Sequence, residues 1–221
     1  MTAALYPIPV LVVTVSLLIR AEFRDQRRHI YILKPLSTLL VIAVALLSFL
    51  EPSRNLTYSV GVLVGLLLSF GGDIALMLKE KPKSFMVGLA LFLLAHVAYT
   101  VVFTLLGKSS AWDIVSAVVL LVVGIVLYRL FKPSLGKMRI PVIAYILIIS
   151  LMVNRAFSTF ASPLFTTAQA WMISIGAVLF YVSDVILAAA RFWKPWPYHR
   201  ISLAFYYAGQ MLIALAASYF A

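Results

Sequence analysis

The sequence predicts an all-α, polytopic membrane bundle. Three observations predict it: 64% of the 221 residues are hydrophobic, only 11% are charged, and apolar runs of bilayer-crossing length recur along the chain, with a mean hydropathy of +1.06. That balance excludes an ordinary soluble domain. Eight runs read as eight transmembrane helices in a single domain over 1–221, at 5–19, 30–50, 56–78, 84–106, 111–131, 140–153, 164–190 and 201–220.

Taken in order, the first run has no basic stretch ahead of it, so it is expected to be retained as a span rather than cleaved as a signal peptide. It and the sixth run are short, and each crosses a core of about 30 Å by tilting, by thinning the bilayer or by extending into its flanks. The second run opens on Lys34-Pro35. The third carries Gly61, Gly65, Ser69 and Gly72 at spacings of four, four and three, a stripe that lets another backbone approach and holds Asp73 against its neighbour. The fourth contains His96 and Tyr99, and the fifth runs on Val, Leu and Ile. The sixth has Tyr145, the seventh Asp184, and the eighth Tyr206, Tyr207 and Gln210. No long polar loop separates these runs, so any chemistry belongs to the helices themselves or to their ends.

The net charge of +11 does not indicate nucleic acid, because the bases alternate with the loops. Fifteen of the 18 flank odd-numbered connections: Arg20, Arg24, Arg27, Arg28 and Lys34 the first, Lys79, Lys81 and Lys83 the third, Arg129, Lys132, Lys137 and Arg139 the fifth, and Arg191, Lys194 and Arg200 the seventh. Only Arg54, Lys108 and Arg155 belong to even ones. The positive-inside rule therefore places the odd connections in the cytoplasm and both termini outside, and short loops with a strong bias suit a bacterial inner membrane. The lipid bilayer is the expected partner. With no cysteine, disulfides, thiolate nucleophiles and Cys-based metal sites are excluded.

Asp73 and Asp184 are read as acids at membrane depth, where a carboxylate costs several kcal/mol unless protonated, paired or facing water. Each marks a candidate functional site. A shift of 111 residues brings Asp73 onto Asp184, His96 onto Tyr207, Tyr99 onto Gln210 and Lys34 onto Tyr145, which suggests parallel repeats of four spans, 1–110 and 111–221. Depth adds a second argument. At 1.5 Å per residue, Asp73, six residues before Lys79, and Asp184, seven before Arg191, lie about 9 to 10 Å below the cytoplasmic boundary. Lys34, Tyr145, Tyr206 and Tyr207 enter that same layer, six or seven residues past Arg28, Arg139 and Arg200. His96, about 20 Å in from Lys83, is expected to lie deeper unless its helix is bent or strongly tilted.

Two carboxylates in one low-dielectric layer do not readily both ionise, so the pair is expected to hold a proton and supply an acid and a base from one residue type. That suits protonation of a poorly basic substrate followed by attack of water. The bland alternative is that each Asp bonds separately to a Lys, Tyr or backbone group. Lys34 has three readings: it neutralises an Asp, binds a lipid phosphate or snorkels to the interface. Tyr145, Tyr206, Tyr207 and Gln210 are candidate donors to a carboxylate or phosphate, and His96 is either a titratable functional ring or a neutral imidazole bonded to a neighbouring helix. No Gly-rich phosphate loop, HExxH or Gly-x-Ser-x-Gly is present, and a metal site from Asp73, Asp184 and His96 has no ligand spacing behind it, so neither cofactor nor metal is expected.

In combination, Lys34-Pro35, Ser69-x-x-Gly72-Asp73-x-x-Leu76, Phe85-x-x-Gly88-x-x-x-Phe92-x-x-x-His96-x-x-Tyr99, Pro141-x-x-x-Tyr145, Gly176-x-x-x-Phe180-x-x-Ser183-Asp184-x-x-Leu187-Ala188 and Tyr206-x-x-x-Gln210 resemble the lysoplasmalogenase (YhhN-like) family. The resemblance runs from the second span to the C-terminal end. It implies hydrolysis of the vinyl ether bond of a lysoplasmalogen, a lysophospholipid, to a fatty aldehyde and a glycerophospho-alcohol, and it marks Lys34, Asp73, His96, Tyr99, Asp184 and Gln210 as the characteristic polar positions. In that chemistry one of Asp73 and Asp184 protonates the vinyl carbon, while the other stabilises the oxocarbenium-like cation and activates water. The sequence leaves open which does which. Lys34 and the tyrosines would hold the phosphate while the chain runs deeper past His96. A proton-coupled transporter or lipid flippase would use the same carboxylates. An intramembrane aspartyl protease ranks last, because its Tyr-Asp, Gly-x-Gly-Asp and Pro-Ala-Leu elements are not found.

Overall fold

Pro7, lacking an N–H to leave unsatisfied, starts the first long helix, and in the computed structural model every later apolar run likewise becomes helix; the structure describes residues 2–78 and 83–220. Among the described residues the α-helices are α1 Pro7–Phe23, α2 Arg27–Leu47, α3 Leu56–Met77, α4 Ser84–Leu106, α5 Ala111–Leu135, α6 Arg139–Phe157, α7 Thr167–Phe192 and α8 Ser202–Ala216, with short 3-10 turns between several of them. Starts are set by side chains where the sequence supplies them. Asn55 accepts from the Tyr58 amide ahead of α3, and capping boxes of Ser110 with Asp113 and of Thr166 with Gln169 open α5 and α7. Gly136, at φ +47°, separates α5 from α6.

Six stretches are long and apolar enough to cross a membrane, one of them the continuous 111–161 segment that holds both α5 and α6. The eighth expected span falls short by that measure. Its α-helix has 15 residues, about 22 Å of rise, and the 3-10 turn that precedes it, His199–Ile201, adds two polar residues, His199 and Arg200, to the stretch. Other boundaries shift outward: α2 begins at Arg27, so Lys34-Pro35 lies two turns inside the helix instead of starting it, and α5 runs on to Leu135 through Pro133. Lys79 and Lys81, counted with the third connection, lie outside the described residues.

The closest packing joins α3 to α4 and α7 to α8. On α3, Gly61, Gly65 and Gly72 face Val102, Tyr99 and Phe92 of α4, and a Cβ at Gly72 would meet the Phe92 ring at 2.7 Å. Between α7 and α8 two backbones touch: a Cβ at Gly176 would lie 2.8 Å from the Gly209 carbonyl oxygen, and one at Gly209 2.6 Å from that of Gly176. Two cross-contacts complete the frame, α4 on α6 and α8 on α2. Under the 111-residue shift α3–α4 corresponds to α7–α8, and α4–α6 to α8–α2. The α5 helix stays peripheral, burying only Asp113, Phe131 and Leu135.

Candidate active site

Asp73 lies on α3 one turn before its end, behind the stripe that seats α4, and its carboxylate is 2% exposed. Three groups from two other helices meet it. Lys34 Nζ of α2 stands 3.1 Å from Oδ1, while the Thr38 hydroxyl, one turn on from Lys34, and the Tyr206 hydroxyl of α8 each donate to Oδ2 at 2.8 Å. Both members of the ion pair are buried, so each is satisfied in place rather than left charged in an apolar interior. Tyr207 braces the other side of Lys34 by donating to its backbone carbonyl at 3.1 Å.

Asp184 has different company. Tyr145 of α6 donates to its Oδ2 at 2.6 Å, and His96 Nε2 of α4 lies 3.6 Å from the same oxygen. Its side chain keeps 15% exposure, the more open of the two carboxylates. The His96 ring is wholly buried, with Phe180 at 4.6 Å and Tyr145 at 5.3 Å between centroids. His96 thus reaches Asp184 from a deeper level, as the residue count expects: the Gly65–Tyr99 and Gly72–Phe92 contacts put it about one turn deeper than Asp73, a gap that side chains of α6 and α7 span.

Both carboxylates line one cavity of about 960 Å³, together with Lys34, Phe92, Ser183 and Tyr206. Its rim is made of helix ends: Glu22 from α1, Arg27 from α2, Phe85 from α4, Arg191 from α7, and Trp196, His199 and Arg200 from the connection into α8. A smaller, mainly apolar pocket of about 80 Å³ between α4, α5, α6 and α7 shares Leu76, Phe85, Phe92, Asp184, Leu187 and Arg191 with the first. Asp184 thus stands where a polar cavity meets an apolar one.

Of the residues singled out in the sequence, Lys34, Asp73, Asp184 and Tyr206 face the large cavity and Tyr145 the small one, while His96, Tyr99, Tyr207 and Gln210 lie in neither lining. Tyr99 and Gln210 form a buried bond of their own, the Tyr99 hydroxyl donating to Gln210 Oε1 at 2.7 Å. Sequence reasoning missed Thr38, whose signal was its place one turn after Lys34. It also missed Glu22 and read Arg27, Arg191 and Arg200 as topological charges first, with attraction to inner-leaflet phosphate as a secondary effect. Asp113, a further buried acid, is structural: it caps α5 and pairs with Arg155 at 3.2 Å.

A helical chain with six stretches fit to cross a bilayer and two carboxylates at the base of one cavity is a multi-pass membrane protein with an acid site inside its helix bundle. It belongs to the YhhN family, which matches residues 29–217. Curated relatives carry one activity name. Lysoplasmalogenase TMEM86A of Bos taurus is 32% identical over 163 residues, 71% of this chain and 64% of that protein. Lysoplasmalogenase TMEM86B of Homo sapiens is 33% identical over 62% of this chain and 55% of its own length, and the lysoplasmalogenase of Mycobacterium tuberculosis 33% identical over 58% and 48%. The matched region thus spans about half to two thirds of these relatives. No solved structure matches the chain at a significant level.

Proposed function

We propose that this chain is an integral-membrane hydrolase of lysoplasmalogens, cleaving the vinyl ether bond to a fatty aldehyde and a glycerophospho-alcohol. The observation that carries this reading is the unequal pairing of the two carboxylates on one cavity: Asp73 faces an ammonium, Asp184 a phenol and an imidazole. Asp184, more open and beside the apolar pocket, is the general acid and delivers its proton to the vinyl carbon distal to the ether oxygen. The resulting oxocarbenium-like cation is stabilised by the carboxylate of Asp73, held in place by Lys34, Thr38 and Tyr206. Water adds to the cationic carbon and gives its proton to Asp73. The hemiacetal then collapses to aldehyde and alcohol with no net proton change, and cavity water returns the proton from Asp73 to Asp184. The names of the relatives support the substrate class, and no cofactor enters the scheme.

The chain crosses the membrane eight times in this reading, with α8 as the shortest crossing, both termini outside and the cavity mouth on the cytoplasmic face of a bacterial inner membrane. The charge bias supports that orientation, because the rim residues belong to the odd connections. Two four-helix halves are supported by the paired contacts, and by Tyr99 and Gln210, equivalent under the shift, bonding to one another. That symmetry also suits a carrier. Purified protein incubated in D₂O with 1-alkenyl lysophospholipids tests the hydrolase: it predicts free aldehyde with one deuterium on the carbon next to the carbonyl. Flux of intact lipid across sealed vesicles without aldehyde would favour the carrier instead.

A further inference from the structure

We propose that the cavity mouth is a headgroup site matched to a zwitterion, in which Glu22 takes a cationic amine while Arg200 and Arg191 take the phosphate of a single-chain lipid. This rests on the hydrolase reading above. Among the described residues of the rim, Glu22 is the one acid, set among Arg27, Arg191 and Arg200. Its Oε2 lies 3.0 Å from Arg200 Nη1, with 7% of the Glu22 side chain and 29% of the Arg200 side chain exposed. A phosphoryl-amine headgroup carries the same two charges in reverse, so it exchanges with this pair without leaving either side chain unmatched: the amine on the carboxylate, the phosphate on the guanidinium. Arg191 is fixed beside them, its guanidinium 3.8 Å above the Phe85 ring centroid. Lys34 does not supply the phosphate site, because a phosphate drawing its ammonium away would leave the buried Asp73 carboxylate without a cation, whereas the headgroup amine replaces Arg200 on Glu22.

Length gives an independent argument. Arg191 follows Asp184 by seven residues on α7, a rise of about 10 Å. From phosphorus to the vinyl carbon distal to the ether oxygen of an alkenyl lysolipid there are seven bonds, about 8 Å when extended. A phosphate held at the rim therefore places the reacting carbon at Asp184, where the polar cavity meets the apolar pocket.

The test compares three substrates of the full-length protein in detergent: alkenyl glycerophosphoethanolamine, alkenyl glycerophosphate, which lacks the amine, and alkenylglycerol, which lacks both groups. Wild type is expected to show kcat/KM falling about tenfold at each removal. Glu22→Gln should abolish the preference for the amine-bearing lipid over the phosphate-only one, and Arg200→Gln should reduce the preference for phosphate over alkenylglycerol severalfold, with Arg191 keeping the remainder. Ratios within one variant do not depend on how much of it folds. Equal kcat/KM for all three lipids, or wild-type ratios in both variants, would overturn the proposal. If no lipid yields aldehyde, the hydrolase reading fails separately, and calorimetric titration with the saturated 1-O-alkyl analogues still reads the mouth. The same ordering of affinities would sustain the headgroup site, and identical affinities would sink it. Chain-free glycerophosphoethanolamine binding as tightly as the alkyl lipid would overturn the assignment to a lipid.

Discussion

Asp73 and Asp184 are chemically identical and differ in what surrounds them, and the assigned roles follow from that difference. Lys34 and Asp73 form a pair whose side chains are 10% and 2% exposed, so Lys34→Met would strand a carboxylate in the interior. The expected cost is about 3 kcal/mol of stability, read as unfolding in detergent, together with loss of aldehyde release. Tyr145→Phe removes the 2.6 Å bond to Asp184 without removing a charge, and should lower turnover about tenfold while changing stability less than Lys34→Met does. The layer shared by Lys34, Tyr145 and Tyr206 was legible because each follows a boundary base by six residues and helical rise is constant. The meeting of His96 with Asp184 was not, since interhelical register depends on which glycines meet which rings. Nor was Glu22, whose partner Arg200 is far away in sequence.

Helices were readable to within a turn where the apolar run and the helix end together, as at Ser84–Leu106. They were misjudged where helix outlasts apolarity, as at Arg27 in α2 and beyond Phe131 in α5, because amphipathic ends continue hydrogen bonding after the hydrophobic signal stops. The glycines of α3 were legible as a contact stripe, whereas the Gly176–Gly209 crossing left only isolated glycines in the sequence. That crossing aligns α7, which carries Asp184, with α8, which carries Tyr206. Gly209→Ala would push a methyl to 2.6 Å from a backbone oxygen that has no freedom to move aside. We expect it to destabilise the protein by about 1–3 kcal/mol, seen as a lowered melting temperature in detergent, and to reduce activity more than Gly136→Ala, which lies away from the cavity.

At the scale of the whole molecule, pairing α3–α4 and α7–α8 with the cross-contacts α4–α6 and α8–α2 brings two acids from distant parts of the chain to one cavity. The class of fold followed from composition and the recurring apolar runs, but the number of crossings did not, because α8 is short and α5 and α6 run together. The absence of cysteine makes the topology directly measurable. In right-side-out vesicles, cysteines placed at Lys108 and Ser53 should react with an impermeant maleimide while one at Lys137 should not; the opposite pattern would invert the orientation. The central claim is that a carboxyl group on α7 protonates the substrate. Aldehyde release by purified, folded Asp184→Asn measures it most directly: the account predicts a rate at least about 100-fold below wild type, and wild-type turnover by this variant would contradict it.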